Sequence, residues 1–288
     1  MVKEELTDLG IKSLLKMLHS NPEKAIPRLL KIVNMVGKKL FPSQLKIINE
    51  YMSGPDKNVY QLVMRALNQL DPDVLDNVLM NFYFNVNVKG WAKQNELRAK
   101  YQCNIPWAIL LDPTSACNLH CKGCWAADYG NRLNLSYEDI DSIIEQGKEL
   151  GVYMYIYTGG EPLVRKDDLI RLCEKHDDCI FLCFTNATLI DEQFCQDLLR
   201  VKNFIPAISQ EGSKETTDFR RSVGVSYSVY DKIEHGMNLL KEYGLPFGIS
   251  CCYTSKNAEV IGSEAYFDQM IAWGAKFCWF FTYMPVGA

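Results

Sequence analysis

Apolar residues recur at helical spacing through the first hundred positions of this 288-residue chain. Ile11, Leu14, Leu15 and Leu18 fall at i, i+3, i+4 and i+7, as do Ile26, Leu29, Leu30 and Val33. Val59, Leu62, Val63, Ala66, Leu67 and Leu70 carry the same stripe for three turns, and each stripe lines one face of an amphipathic helix. Asn21-Pro22 and Asp71-Pro72 read as an N-cap followed by a first-turn proline, while Gly54-Pro55-Asp56 interrupts the chain between helices. Val74, Leu75, Val78, Leu79 and Phe82 form a further stripe before Gly90. The pattern predicts an all-α bundle of about five helices and then a polar linker helix over 91–101.

From Trp107 the rhythm changes to short apolar runs alternating with helical ones. Strands are predicted over 107–111, 152–157, 180–184, 204–209, 247–253 and 277–283, most of them continuous apolar runs of the kind covered on both faces. Helices are predicted at about 136–149, 166–176, 191–201, 228–243 and 263–273, with Ser136 and Asp139 spaced for a capping box. Six strands joined by helices imply a parallel sheet with right-handed crossovers, whose ligands bind at the C-terminal strand ends. The expected architecture is α/β: a partial (β/α)6, TIM-like barrel over 101–288, preceded by a helical bundle domain over 1–100. The sequence ends five residues after the sixth predicted strand, and the expectation is a truncated piece of a longer protein.

Charge supports two domains. Residues 1–100 carry 15 Lys and Arg against 10 Asp and Glu, whereas 101–288 carry 16 against 25, within a net charge of -4. No Arg/Lys stripe interleaves with aromatics in the basic half, so nucleic acid is not an expected partner. Neither a secretory signal nor an apolar run of membrane-spanning length is present, and the expected setting is cytoplasmic and reducing. The apolar stripes of the bundle are read as core, which leaves membrane association without support.

Eleven cysteines do not pair evenly. Cys173, Cys179, Cys183, Cys195, Cys251, Cys252 and Cys278 lie scattered in apolar segments and are read as buried thiols. Cys117, Cys121 and Cys124 are different, because they stand within eight residues of one another in the loop after the first strand. Three soft ligands so close can hold one inorganic centre while leaving it a ligand short, and an open metal position is where a substrate or cofactor binds. A zinc ion completed by His120 is the competing reading of these residues alone.

The CxxxCxxC spacing, followed one strand later by Thr158-Gly159-Gly160-Glu161-Pro162, resembles the radical S-adenosylmethionine (radical SAM) superfamily over roughly residues 105–288. The resemblance implies that Cys117, Cys121 and Cys124 bind three irons of a [4Fe-4S] cluster. The fourth iron then takes the amino and carboxylate groups of S-adenosylmethionine. An electron from the cluster cleaves the C–S bond to a 5′-deoxyadenosyl radical, which abstracts hydrogen from a substrate. Carried over position by position, Gly159, Gly160 and Glu161 meet the methionyl amine, and Asn186 of the Thr185-Asn186 pair follows the third strand as in many members. Ser209 and Glu211 face the ribose and methionyl part, Arg221 pairs with the cofactor carboxylate, and Tyr283, in a segment running to Gly287, lies where adenine often packs. Gly123 departs from the pattern, since the residue before the third cysteine is commonly aromatic; Trp125 is a candidate to compensate. The resemblance also implies a flavodoxin- or ferredoxin-type electron donor. It leaves the catalytic residues and the substrate open among peptides, lipids and small metabolites. The alternative from another class is a non-catalytic iron–sulfur binding or scaffold protein.

Overall fold

The computed structural model describes residues 13, 15–40, 42–52, 54–126 and 130–285. Its chain forms two compact units, residues 1–72 and 73–288.

In the first unit, α1 (Pro22–Leu40) and α3 (Asn58–Gln69) carry the predicted stripes that begin at Ile26 and Val59, and α2 (Pro42–Met52) lies between them where no stripe is read. Asn21 caps α1 as its spacing predicts, its Oδ1 accepting from Lys24 N at 3.2 Å. Leu15, Leu18, Ala25, Ile26 and Leu45 are buried, and the Asn34 and Asn49 amides exchange hydrogen bonds of 2.7 and 2.6 Å between α1 and α2. Ile11 and Leu14 of the first predicted stripe lie outside the described residues.

The second unit starts within α4 (Pro72–Val78), so the division falls about thirty residues before the expected boundary at 100/101. A π-helical segment follows over Leu79–Gly90, where the stripe predicts an α-helix, and then α5 (Trp91–Tyr101). These elements belong with the barrel because their amides dock on loops that lead into its strands. Asn81 Nδ2 donates to Asp177 O at 2.7 Å and Cys179 O at 3.0 Å, and Asn85 Nδ2 to Asp178 O at 2.9 Å. Gln94, fully buried, donates to Gly151 O at 2.8 Å. Residues that look like a polar helix surface are therefore a set of backbone anchors, each donating to a carbonyl of these loops.

The sheet contains β1 (Ile109–Thr114), β2 (Met154–Gly159), β3 (Ile180–Thr185), β4 (Phe204–Ser209), β5 (Gly248–Tyr253) and β6 (Cys278–Thr282), all parallel and in chain order. This is the expected α/β partial barrel, with β1 and β6 as its outermost strands; the end of β1 is also met by an isolated antiparallel bridge from Thr114 to Asn134. Between strands run α6 (Tyr137–Glu149), α7 (Lys166–Lys175), α8 (Glu192–Val201), α9 (Lys214–Arg221), α10 (Val229–Glu242), α11 (Ala258–Ile261) and α12 (Glu264–Trp273). The Ser136–Asp139 capping box opens α6 with both of its reciprocal hydrogen bonds. The main core lies between sheet and helices: Tyr155, Tyr157 and Phe181 are fully buried, with the Tyr157 and Phe181 rings stacked at 5.6 Å.

Two strands depart from expectation. β1 runs past the apolar residues through Asp112-Pro113 to Thr114, with its register against β2 slipping between Leu111 and Thr114. An edge strand tolerates proline because one row of its N–H groups has no partner to lose. β6 is predicted to be covered on both faces, yet Trp279, Phe280 and Phe281 are 36%, 40% and 45% exposed. Pairing with β5 alone leaves this edge open, and Trp279 and Phe281 instead gather on the inner face around Phe184, with ring centroids 5.2 and 5.6 Å away. Among the described residues no helix is long and apolar enough to cross a membrane.

The Asn81 anchor predicts that Asn81→Leu destabilises the second unit by about 2–3 kcal/mol, because two carbonyls lose their side-chain donor. Urea unfolding followed by circular dichroism measures this. A chain starting at Asp73 should keep the wild-type transition of the second unit, and one starting at Gln102 should lose it.

Candidate functional site

The polar motifs meet at the C-terminal ends of β1 to β4. The chain leaving β1 is laid against the end of β2 by two backbone hydrogen bonds, Gly160 N to Thr114 O at 2.9 Å and Glu161 N to Ala116 O at 2.8 Å. Residue 160 has no room for a side chain: a Cβ there would lie 2.2 Å from Ala116 O and 2.6 Å from Ser115 O. Gly159 adopts φ +102°, a left-handed conformation that favours glycine. The double glycine thus brings the start of the cysteine loop into contact with the second strand.

Cys117, Cys121 and Cys124 follow on this loop, each partly buried and none in a disulfide. Leu119, 4% exposed, pins the loop to the core, Cys124 N donates to Cys121 O at 3.2 Å, and Lys122 N to Arg220 O at 2.8 Å. Burial pushes the Cys117 thiol up to about 11. Burial raises Cys121 as well, opposed by the Arg221 guanidinium, whose Nη1 lies 3.9 Å from Cys121 Sγ. Both shifts favour the neutral thiol, and metal binding to cysteine releases the thiol proton.

Among the described residues, only Asp141, Glu145 and His176 bring three such ligand atoms within 4.8 Å of one another, and there the Lys175 ammonium, 2.6 Å from Asp141, already supplies the positive charge. The three cysteine sulfurs stand wider than that. His120 is exposed.

Glu161 and Asn186 are brought to the site, but their side chains serve the loops around it. Glu161 is 1% exposed, and its Oε1 accepts from Leu163 N at 3.0 Å and Thr185 Oγ1 at 2.7 Å, its Oε2 from Asn186 N at 2.7 Å. Burial raises its pKa against the pull of these three hydrogen bonds. Asn186 Nδ2 donates to Asn118 Oδ1 at 2.8 Å, and Asn118 Nδ2 to Thr188 Oγ1 at 2.8 Å, which links the cysteine loop to the loop after β3. The sequence reading missed Asn118 and the bracing role of Thr185; the one signal available was a polar residue standing inside the cysteine motif.

Glu211 and Arg221 face Cys121 from the end of β4 and from α9. Glu211, 1% exposed, accepts from both Arg220 Nη1 and Arg221 Nη2 on its Oε1, and the paired Arg220 is a second residue that sequence reasoning passed over. Burial opposes the charge of Arg221, but the Glu211 carboxylate outweighs it and leaves the guanidinium pKa raised. Glu211 Oε2 and Arg221 Nε are buried without a hydrogen-bond partner. Ser209 lies half-buried on the inner face at the end of β4, opposite Ser250. Tyr283, after β6, packs on the cysteine loop at Gly123. Val286 and Gly287 of the expected adenine segment lie outside the described residues.

Three thiols on one loop, a backbone cradle at Gly160, and an unpartnered carboxylate oxygen and guanidinium nitrogen beside Cys121 fit an iron–sulfur centre carrying a small zwitterionic ligand. Comparison with known proteins agrees. Residues 111–257, just over half of the chain, match the family model of the radical SAM superfamily, and the chain belongs to that superfamily. A cysteine-type anaerobic sulfatase-maturating enzyme of Clostridium perfringens is 29% identical over 170 residues, covering 53% of this chain and 46% of that one. The solved structure of native anSMEcpe with bound AdoMet superimposes with a TM-score of 0.52 at 26% identity, over 62% of this chain and 51% of that one. SuiB of Streptococcus suis, solved with S-adenosylmethionine, shares the fold at 20% identity and a TM-score of 0.58, over 85% and 54%. The chain spans about half the length of the curated relatives it matches. The cofactors of the superfamily are a [4Fe-4S] cluster and S-adenosylmethionine.

The cradle makes a direct prediction. Gly160→Ala pushes a methyl into two backbone carbonyls, so iron retained per chain after anaerobic reconstitution should fall severalfold while far-UV circular dichroism keeps its α/β signature. Undiminished iron in Gly160→Ala contradicts the proposed dependence of the loop on that contact.

Proposed function

We propose that the second unit is the core of a radical SAM enzyme, in which Cys117, Cys121 and Cys124 hold the [4Fe-4S] cluster and the strand ends around them hold S-adenosylmethionine. The observation that carries this reading is the junction of a three-thiol loop with the Gly159-Gly160 cradle and the buried Glu211–Arg221 pair. When bound, cluster and cofactor supply reductive cleavage to a 5′-deoxyadenosyl radical for hydrogen abstraction. The residues of the chain bind and orient. Gly159 and Gly160 offer close backbone, Ser209 and Glu211 offer acceptors, and Arg221 keeps a fixed positive charge whose Nε is free for a carboxylate. Glu161 and Asn186 act at one remove, by holding the loops that present these groups.

The substrate is a peptide, lipid or small metabolite. A peptide is favoured by the anSMEcpe neighbour, which was also solved with AdoMet and a peptide bound. A flavodoxin- or ferredoxin-type protein is the proposed electron donor, and the cytoplasm the proposed setting, supported by eleven unpaired cysteines. The first unit carries none of the cofactor motifs and is assigned to substrate capture or stability.

Anaerobic protein, reduced with dithionite in the presence of S-adenosylmethionine, should form 5′-deoxyadenosine. Cys117→Ala, Cys121→Ala and Cys124→Ala should each lose both iron and product, whereas Cys251→Ala and Cys252→Ala should keep their iron and sulfide. A full cluster that yields no 5′-deoxyadenosine would instead establish the non-catalytic scaffold.

A further inference from the structure

Gly123, the residue before the third cysteine, has φ +64°. A Cβ built there would lie 2.4 Å from Tyr283 Oη and 2.7 and 2.9 Å from Cε2 and Cζ of the same ring. The place of a residue-123 side chain is therefore taken by a phenol delivered from the far end of the sheet. Backbone carries it there: Tyr283 N donates to Tyr253 O at 3.2 Å, extending the β5–β6 ladder by one step. The three heavy atoms nearest that position all belong to Tyr283 and none to Trp125, which is 40% exposed.

The contact has a topological consequence. β1 and β6 are the outermost strands of the sheet, yet the loop after β1 and the residue after β6 meet at this ring. The hydrogen bonds of the cysteine loop tie it to β2, to the loop after β3 and to α9, and Tyr283 ties its last turn to the β6 edge. The contact requires glycine at 123, because a side chain there would meet the ring and would also be strained by the left-handed backbone.

We propose that Tyr283 is a positioning residue for the cysteine loop: its ring takes the place of the side chain that Gly123 lacks and latches β6 to the turn carrying Cys124, so that the cluster and the S-adenosylmethionine bound to it depend on that contact. This rests on the radical SAM reading above. Ring carbons Cε2 and Cζ make the contact together with Oη, and Tyr283→Phe separates the ring from the hydroxyl.

The test compares wild type with Tyr283→Ala, Tyr283→Phe, Gly123→Ala and the Gly123→Ala/Tyr283→Ala double variant, as full chains reconstituted anaerobically and checked by circular dichroism. Two quantities are read: the half-life of the cluster absorbance in excess chelator, and the S-adenosylmethionine concentration that half-saturates the change in the electron paramagnetic resonance spectrum of the reduced cluster. Tyr283→Phe should stay within about twofold of wild type. Tyr283→Ala should lose its cluster about tenfold faster and need about tenfold more S-adenosylmethionine, the scale of one packed aromatic contact. Gly123→Ala should be impaired at least as much, and the double variant no worse than the poorer single one, since removing the ring removes the collision. Tyr283→Ala behaving as wild type, or the two substitutions multiplying in the double variant, overturns the latch. A wild-type cluster that gives no response to S-adenosylmethionine overturns the functional reading itself. Should Tyr283→Ala fail to fold, Tyr283→Leu, which keeps bulk without the ring, is the replacement, and a wild-type result for it overturns the proposal equally.

Discussion

Two backbone hydrogen bonds decide where the cysteines stand. Gly160 N to Thr114 O and Glu161 N to Ala116 O continue the pairing of β1 with β2 beyond the strands, so the loop begins as a rigid extension of the sheet. The approach is possible only because residue 160 lacks a Cβ, which would overlap two carbonyl oxygens. Loops are ordinarily the mobile part of a β/α unit. Here the sheet lends its stiffness to the segment that must hold metal.

The polar residues around that loop divide by what their valences are used for. Glu161, Thr185, Asn186, Asn118 and Thr188 are consumed in a closed network running from β2 through β3 to the cysteine loop. A carboxylate buried to 1% exposure is tolerable with three donors converging on it. Glu211 and Arg221 are different: each is paired, yet each keeps one buried polar atom unsatisfied, a cost of about 1–3 kcal/mol apiece. Such costs persist where a ligand removes them, which is why the proposed cofactor contacts centre on this pair rather than on the more conspicuous Glu161.

Much of the barrel was legible because its strands are short apolar runs and its helices carry start signals, such as the Ser136 capping box. The end of β1 was not, because Asp112-Pro113 looks like a terminator and only an edge position makes it admissible. The π-helical segment and the docking of its asparagines leave no mark on the stripe for a related reason: periodicity reports which face is apolar, whereas Asn81, buried, and Asn85, half-buried, are held by distant carbonyls. At the site, the cysteine spacing and the double glycine announced themselves in order along the chain. The donors that engage Glu161, and the ring that fills the space at Gly123, come from residues 163, 185, 186 and 283. Convergence of that kind depends on the fold and leaves no local pattern.

The central claim is that this braced loop holds a cluster with one iron open to S-adenosylmethionine. Mössbauer spectroscopy of the protein reconstituted with iron-57 tests it most directly. The account predicts a four-iron cluster in which about a quarter of the iron signal shifts when S-adenosylmethionine is added, because three sites are capped by thiolates and one is not. A spectrum that stays unchanged on addition, or one lacking a four-iron cluster, would contradict it.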